Sequence, residues 1–209
     1  VGGLHDVRAQ DATKPWMMYY STGATHAPHH VFSEWADKYR GKFDDGWDVY
    51  RERTLQRQKD LGIVPPDTEL TERPDLFPAW DSLTDAQRTL YARQMEVFAG
   101  FSENADWNVG RLLDAVDGLG DLDNTLVFYI WGDNGSSGEG QNGTISELLA
   151  QNGIPTTVRQ HIDALDAGER LLMLFAAAGR SPQGVALLRQ NLLTRAQVLP
   201  DTLSRLPAC

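Results

Sequence analysis

The segment that most constrains the fold of this chain is Thr125–Trp131, which reads Thr-Leu-Val-Phe-Tyr-Ile-Trp. After Thr125 its side chains are apolar or aromatic without alternation, a pattern typical of strands that are buried on both faces of a parallel sheet. Such a sheet needs helices to cover its faces, and a strong helix pattern precedes Thr125. The chain is therefore predicted to be an α/β protein, with a mainly parallel or mixed sheet flanked by helices.

The helix pattern before this strand begins at Thr84. Thr84 and Gln87 have the spacing of a capping box, in which the hydroxyl accepts from the first turn and the Gln side chain reaches back. Beyond them, mostly apolar residues recur at steps of three or four and form one core-facing stripe. The stripe comprises Tyr91, Met95, Phe98, Ser102, Ala105, Val109, Leu112 and Val116. Gly118 and Gly120 predict the end of this helix.

A second strand is predicted at Trp16–Ser21, an apolar and aromatic run that Pro15 precedes and Gly23 follows. Residues 31–83 are polar and interrupted by prolines, so that apart from a helix near residues 48–61 they are predicted to be irregular.

The charge and cysteine content argue against several kinds of partner and site. The formal net charge is −10, which disfavours a nucleic-acid partner because phosphate binding needs clustered Lys and Arg. The one cysteine, Cys209, allows neither an internal disulfide nor a structural zinc site of its own. The longest apolar stretch, Leu171–Ala178, is much shorter than the roughly 18 residues of a membrane span, so that no span is predicted.

Asp133 and Asn134 follow the strongest strand candidate directly and lie between two glycines. In open α/β sheets, ligands bind beyond the carboxyl ends of strands. A carboxylate and a carboxamide there offer the hard oxygen ligands that Ca²⁺ or Mg²⁺ prefers. The same Asp-Asn-Gly sequence is also a common turn, and the spacing alone favours the turn.

Three histidines, His26, His29 and His30, follow the other predicted strand. A histidine there can donate to a negatively charged substrate oxygen or carry a proton. Zinc ligation and a plain surface loop are the alternatives, although no nearby Cys or patterned acids support zinc. His5 and His161 are interpreted as structural, and the acids at 121 and 123 as solvated or helix-end charges.

Two segments resemble the sulfatase family in order and spacing. The first runs from Gly23 to Val31, Gly-Ala-Thr-His-Ala-Pro-His-His-Val, and the second from Val127 to Gly135, Val-Phe-Tyr-Ile-Trp-Gly-Asp-Asn-Gly. Between them, residues 34–53 and 91–101 look like bacterial arylsulfatases. The resemblance extends from about Lys14 to Asp163.

This resemblance implies a partial alkaline-phosphatase-like domain from an enzyme that hydrolyses sulfate esters. The family's nucleophile is a formylglycine made from Cys or Ser in a Cys/Ser-x-Pro-x-Arg motif, and its divalent cation is usually Ca²⁺, with Mg²⁺ as the alternative. By the same resemblance, Asp133 and Asn134 match a pair of metal ligands. His26 matches the histidine that contacts the sulfate group of a small sulfate-ester substrate.

The sequence also departs from the family pattern. It contains no Cys-x-Pro-x-Arg or Ser-x-Pro-x-Arg motif and begins without an initiator Met or signal pattern. The upstream acidic ligands and the downstream lysine motif are also missing. We therefore expect an internal fragment that is inactive alone, from a parent of undetermined compartment. Residues 1–165 are predicted to form part of a catalytic domain, and residues 166–209 a divergent tail, frame-shifted or disordered.

Two alternative functions stay open at the level of sequence. A phosphomonoester or phosphonate hydrolase of the same superfamily would also take its nucleophile from outside this chain. A non-catalytic module would bind the cation, and gain stability from it, without turning over any ester.

Overall fold

A computed structural model describes residues 2–11, 13–26, 29, 31–131 and 146–166, and helices are the regular structure of these ranges. The α-helices are α1 (Gly2–Gln10), α2 (Ser33–Ala36), α3 (Gly46–Asp60), α4 (Asp85–Gly118), α5 (Ser146–Gln151) and α6 (Val158–Asp166). Short 3-10 helices cover Asp37–Tyr39, Trp80–Ser82 and Leu122–Asn124. The helix predicted near residues 48–61 is confirmed as α3.

The longest element, α4, has 34 residues and begins as the sequence predicts. The backbone N–H of Gln87 donates to the Thr84 hydroxyl at 3.3 Å, and the Thr84 N–H donates to the Gln87 carboxamide at 3.0 Å. Gly120, at φ +71°, lies just beyond the last turn, and its N–H donates to the carbonyl of Asp117 at 2.7 Å. Both predicted ends of this helix are therefore confirmed.

An apolar cluster packs the segment before α4 against its first turns. The buried members are Trp80, Leu83 and Ala92, and the partly buried aromatic members are Phe43, Trp47 and Tyr91. The indole of Trp47 packs edge-on against Trp80, with ring centroids 4.8 Å apart. A carboxylate oxygen of Asp48 accepts from the Trp80 backbone N–H at 2.9 Å, so that α3 holds this tryptophan in place.

Polar contacts hold the turn after α2 on the same helix. Glu96 is buried, and its carboxylate accepts from the Gly41 backbone N–H at 2.7 Å and from Arg93 at 2.6 Å. Arg93 also pairs with Asp37 at 2.8 Å. Partial burial works to raise the pKa of Asp37, but hydrogen bonds and charge from Arg93 and Arg40 outweigh it and lower that pKa.

The predicted α/β fold is wrong for the part of the chain that the structure describes, which contains helices and no β-strand. Residues 16–21 and 125–131 lack regular structure, and most of their large apolar side chains are exposed. An extended run becomes a strand only when a neighbour completes its backbone hydrogen bonds, and in the ranges above neither run has one. The continuous apolar pattern indicates that a segment tends to be buried, but it does not indicate whether a neighbouring strand is present to pair with it.

Candidate functional site

His26 lies in a short turn that closes the extended segment after Pro15. Its backbone N–H donates to the carbonyl of Gly23 at 2.9 Å, and the N–H of Ala24 donates to the Thr22 hydroxyl at 3.1 Å. These contacts fix the backbone of the turn, while the His26 side chain is exposed. An imidazole in this position is within reach of a ligand from solvent.

His29 attaches this turn to α4. Its ring meets Phe98 edge-on, with centroids 5.3 Å apart and the planes at 80°. An edge-to-face contact of this kind contributes about 0.5–1.5 kcal/mol beyond the area that it buries. His30 lies outside the described residues.

Asp121 holds the beginnings of both predicted strands together. Its carboxylate pairs with the guanidinium of Arg8 at 2.7 Å and accepts from the indole N–H of Trp16 at 3.3 Å. Its backbone carbonyl accepts from the Thr125 hydroxyl at 2.7 Å. Of the two interpretations of Asp121, the solvated charge is wrong, because its side chain is partly buried and engaged, whereas the helix-end acid agrees with its position directly before the 3-10 helix Leu122–Asn124. Arg8 is 113 positions away, so that no local pattern could have revealed the contact.

Tyr129 attaches the second segment to α4. Its hydroxyl donates to the carboxylate of Asp106 at 2.9 Å, and its ring packs edge-on against Trp131. Burial, together with the hydrogen bond and charge of Asp106, raises the pKa of Tyr129 above its ordinary value. Trp131 is the last residue described before Asp133 and Asn134, which lie outside the described residues.

The structure thus brings both family-like segments to one helix, although the sequence had placed them at the edge of a sheet. His29 contacts α4 at Phe98 and Tyr129 contacts it at Asp106, about two turns further along. The predicted convergence of His26 with Asp133 and Asn134 is not tested by these contacts. His161, interpreted as structural, is buried on α6, and a ring nitrogen lies 3.2 Å from the Thr156 hydroxyl.

The ranges that the structure describes contain neither a cluster of metal-binding side chains nor a helix that could span a membrane. Within them, no three His, Cys, Asp or Glu side chains converge in a way that would hold a metal ion. No helix found there combines the length and the apolar character needed to cross a bilayer.

Comparison with known proteins identifies the family. The sulfatase family model matches residues 3–195 of this chain. An uncharacterized sulfatase of Schizosaccharomyces pombe is 35% identical over 136 residues, which cover 65% of this chain and 24% of the relative. An arylsulfatase of Klebsiella aerogenes is 31% identical over 132 residues, which cover 63% of this chain and 28% of the relative. The chain therefore spans about a quarter of the length of these relatives. Since the family model matches most of its length, the chain belongs to the sulfatase family.

Proposed function

We propose that this chain carries part of the sulfate-ester site of a sulfuric ester hydrolase. The observation that carries the proposal is the sulfatase family match over residues 3–195, which includes both family-like segments. The two relatives are named as a sulfatase and an arylsulfatase, which does not favour the phosphomonoester alternative. Hydrolysis itself belongs in this proposal to a longer protein, because the chain spans about a quarter of these relatives.

His26 has the role of contacting the sulfate group. A ring N–H of an imidazole can donate to a sulfate oxygen and stabilise the charge that grows on the oxygens as the S–O bond breaks. Two observations support this role: the His26 side chain is exposed, and backbone hydrogen bonds to Gly23 and Thr22 order the turn that carries it. A donor held by an ordered backbone loses little freedom when the substrate arrives.

Asp133 and Asn134 have the role of holding a divalent cation, Ca²⁺ or alternatively Mg²⁺. Their side chains fit such an ion, because a carboxylate and a carboxamide supply hard oxygen atoms. A cation held there would supply Lewis-acid chemistry that polarises the sulfate oxygens. Ca²⁺ takes about six to eight oxygen ligands, so that two side chains supply only part of its shell.

This chain alone is proposed to be catalytically inactive. It contains no Cys-x-Pro-x-Arg or Ser-x-Pro-x-Arg sequence from which the family's formylglycine could be made. A donor histidine and two metal ligands can position and polarise an ester, but they cannot replace a covalent nucleophile. We therefore expect negligible hydrolysis of 4-nitrophenyl sulfate by the purified chain.

A calcium titration with a matched control tests the metal pair. The chain contains a second Asp-Asn pair, Asp123 and Asn124, in the 3-10 helix directly before Thr125–Trp131. The double variant Asp133→Ala/Asn134→Ala should lose calorimetrically detected Ca²⁺ binding, whereas Asp123→Ala/Asn124→Ala should retain it. Equal loss in both variants would show that the acidic surface, and not this pair, attracts the ion. Clear ester turnover by the chain, abolished by Asp133→Ala, would refute the proposed inactivity.

A further inference from the structure

Asp121 binds the first residues of two segments that lead to the proposed site. These are the first segment, residues 16–26, and the second segment, residues 125–131. The indole N–H of Trp16 donates to the Asp121 carboxylate at 3.3 Å, and the Thr125 hydroxyl donates to the Asp121 backbone carbonyl at 2.7 Å. One residue therefore fixes where both segments begin.

A bidentate pair with Arg8 holds the Asp121 carboxylate in turn. Arg8 Nε lies 2.7 Å from Oδ2 of Asp121, and Arg8 Nη2 donates to Oδ1 at 2.8 Å. Two parallel hydrogen bonds fix the plane of the carboxylate as well as its position. The two side chains are only 18% and 17% exposed, and Leu4, one turn before Arg8 on the same face of α1, is buried. The pair is therefore anchored to the packed part of the chain through α1.

From Asp121, both segments run back along α4. His29, three residues after the first segment, packs against Phe98, and Tyr129 of the second segment donates to Asp106. Since Asp121 lies beyond the C-terminal end of α4, the two segments run antiparallel to this helix and in the same direction as each other. No strand ladder joins them in the ranges that the structure describes. Their spacing therefore depends on the points at which they are attached.

The contact at Asp121 is better shielded from water than the contact further along the second segment. The hydrogen bond of Tyr129 to Asp106 is exposed, so that water competes for both groups. Arg8 and Asp121 are both charged and mostly buried, which strengthens their attraction. Asp121 is therefore a strong attachment point as well as the one that both segments share.

We propose that Asp121 is a positioning residue for the candidate site. It sets the spacing of the two segments, and through that spacing the distance between His26 and a cation held by Asp133 and Asn134. It touches neither the ester nor the cation. The link to His26 and the cation rests on the proposed function, whereas the spacing of the two segments does not.

Distances between spin labels on the two segments test the positioning role in the full chain. The labels are attached at Tyr19→Cys and Phe128→Cys, two residues that are 85% and 78% exposed, with Cys209→Ser to remove the native thiol. Dilution with unlabelled chain limits the measurement to pairs within one copy. The wild-type residue at 121 should give one narrow distance distribution and Asp121→Asn a broad one. An unchanged distribution in Asp121→Asn would refute the inference.

Asp48→Asn is the matched control for a general loss of stability. The Asp48 carboxylate also accepts from a nitrogen of a tryptophan, the Trp80 backbone N–H at 2.9 Å, and also pairs with an arginine, Arg73, at 3.2 Å. Asp48→Asn should lower the free energy of unfolding but keep the narrow distribution, and equal broadening in both variants would overturn the positioning role.

Arg8→Lys provides a second variant if circular dichroism shows that Asp121→Asn does not fold. The lysine keeps the charge but loses the two parallel hydrogen bonds, so that it should broaden the label distances less than Arg8→Gln does. Narrow distributions in both Arg8 variants would contradict the proposal, because the carboxylate would then keep its position without the pair.

Mn²⁺ supplies a readout that a merely stabilising role of Asp121 would not change. This ion takes hard oxygen ligands and broadens the NMR signals of nuclei near it. Bound at the proposed metal pair, it should broaden the ring signal of His26 in the wild-type chain. At equal occupancy the broadening should be severalfold smaller in folded Asp121→Asn. It should be absent in Asp133→Ala/Asn134→Ala.

The two readouts separate failure of this inference from failure of the proposed function. If Mn²⁺ leaves the His26 signal of the wild-type chain unchanged while Asp121→Asn broadens the label distances, the metal pair is refuted and the positioning role is supported. If Mn²⁺ broadens the His26 signal equally in the wild-type chain and in Asp121→Asn, the positioning role is refuted and the metal pair is retained.

Discussion

At the scale of single residues, both the backbone conformation and the packing at Gly46 disfavour a side chain. Its φ is +77°, and an added Cβ would lie 2.1 Å from the Trp80 ring. Gly46→Ala should lower the free energy of unfolding by about 3 kcal/mol or more, from left-handed strain and displacement of a buried indole. Gly62→Ala, at φ +69° with nothing within 4 Å, should cost only about 1–2 kcal/mol. Equal losses in urea unfolding would contradict this account of Trp80 packing.

The buried histidine of α6 predicts a pH dependence of stability. His161 is only 2% exposed, and burial lowers its pKa below the ordinary value. In the unfolded chain the His161 imidazole takes up a proton near pH 6.5, as an exposed histidine does. In the folded chain the same imidazole resists protonation until a lower pH. The contribution of this residue is complete above about pH 6.5 and is lost as the pH falls toward the lowered pKa.

Unfolding free energies between about pH 7 and about pH 5.5 measure this effect. The fall seen in the wild-type chain should be smaller in His161→Gln, which keeps a polar side chain near Thr156 but does not titrate. His5→Gln removes an exposed histidine and should follow the wild-type profile. If the profiles of His161→Gln and the wild type are parallel, another group causes the pH dependence.

At the scale of elements, the contact of α2 with α4 depends on one glycine of the long helix. An added Cβ at Gly100 would lie 2.7 Å from the Trp35 and Ala36 backbone, whereas at Gly110 nothing lies within 4 Å. Gly100→Ala should therefore destabilise the chain by about 1–3 kcal/mol. Gly110→Ala should stabilise it by about 0.5–1 kcal/mol, because alanine has a higher helix propensity than glycine in a helix interior. Urea unfolding of both variants should show opposite signs, and stabilisation by both would refute the close contact.

The predictability of the elements follows from the range of the interactions that form them. The sequence predicts α4 and its capping box because Thr84, Gln87 and the final glycines act within a few residues. It does not predict a helical environment for Thr125–Trp131, because strand formation depends on a partner that local sequence does not specify. The hydrogen bonds of Arg8 and Trp16 to the Asp121 carboxylate were not predicted either, because they join positions more than 100 residues apart in the sequence.

For the candidate site, the sequence predicted the protein family but not how the two family-like segments pack against the rest of the chain. The sulfatase resemblance of the segments around His26 and Trp131 agrees with the family match. Their attachment to α4 through Phe98 and Asp106 was not predicted. The apolar stripe of α4 indicates which side of the helix is apolar, but it does not indicate which segment packs against that side. The domain boundary near residue 165 and the roles of His26, Asp133 and Asn134 stay predictions.

At the scale of the whole molecule, two uncharged extended segments expose an unusual amount of apolar surface. In the second, Leu126, Phe128 and Ile130 are each at least 78% exposed, while the residues between them are about half exposed. In the first, Met17 and Tyr19 are exposed in the same alternating way. An extended backbone with an open apolar face and no charge is the kind of surface through which chains pair with one another.

We therefore expect the isolated chain to self-associate with increasing concentration, despite its net charge of −10. Ile130→Lys, at a residue that is 86% exposed, should shift sedimentation toward the monomer, because a charge on an open extended segment opposes edge pairing. Ile63→Lys, at a residue that is 66% exposed in the turn after α3, adds the same charge elsewhere and should leave association unchanged. If both variants dissociate the chain equally, net charge controls its association. If neither does, residues 126–130 are not the contact, and another surface joins the copies.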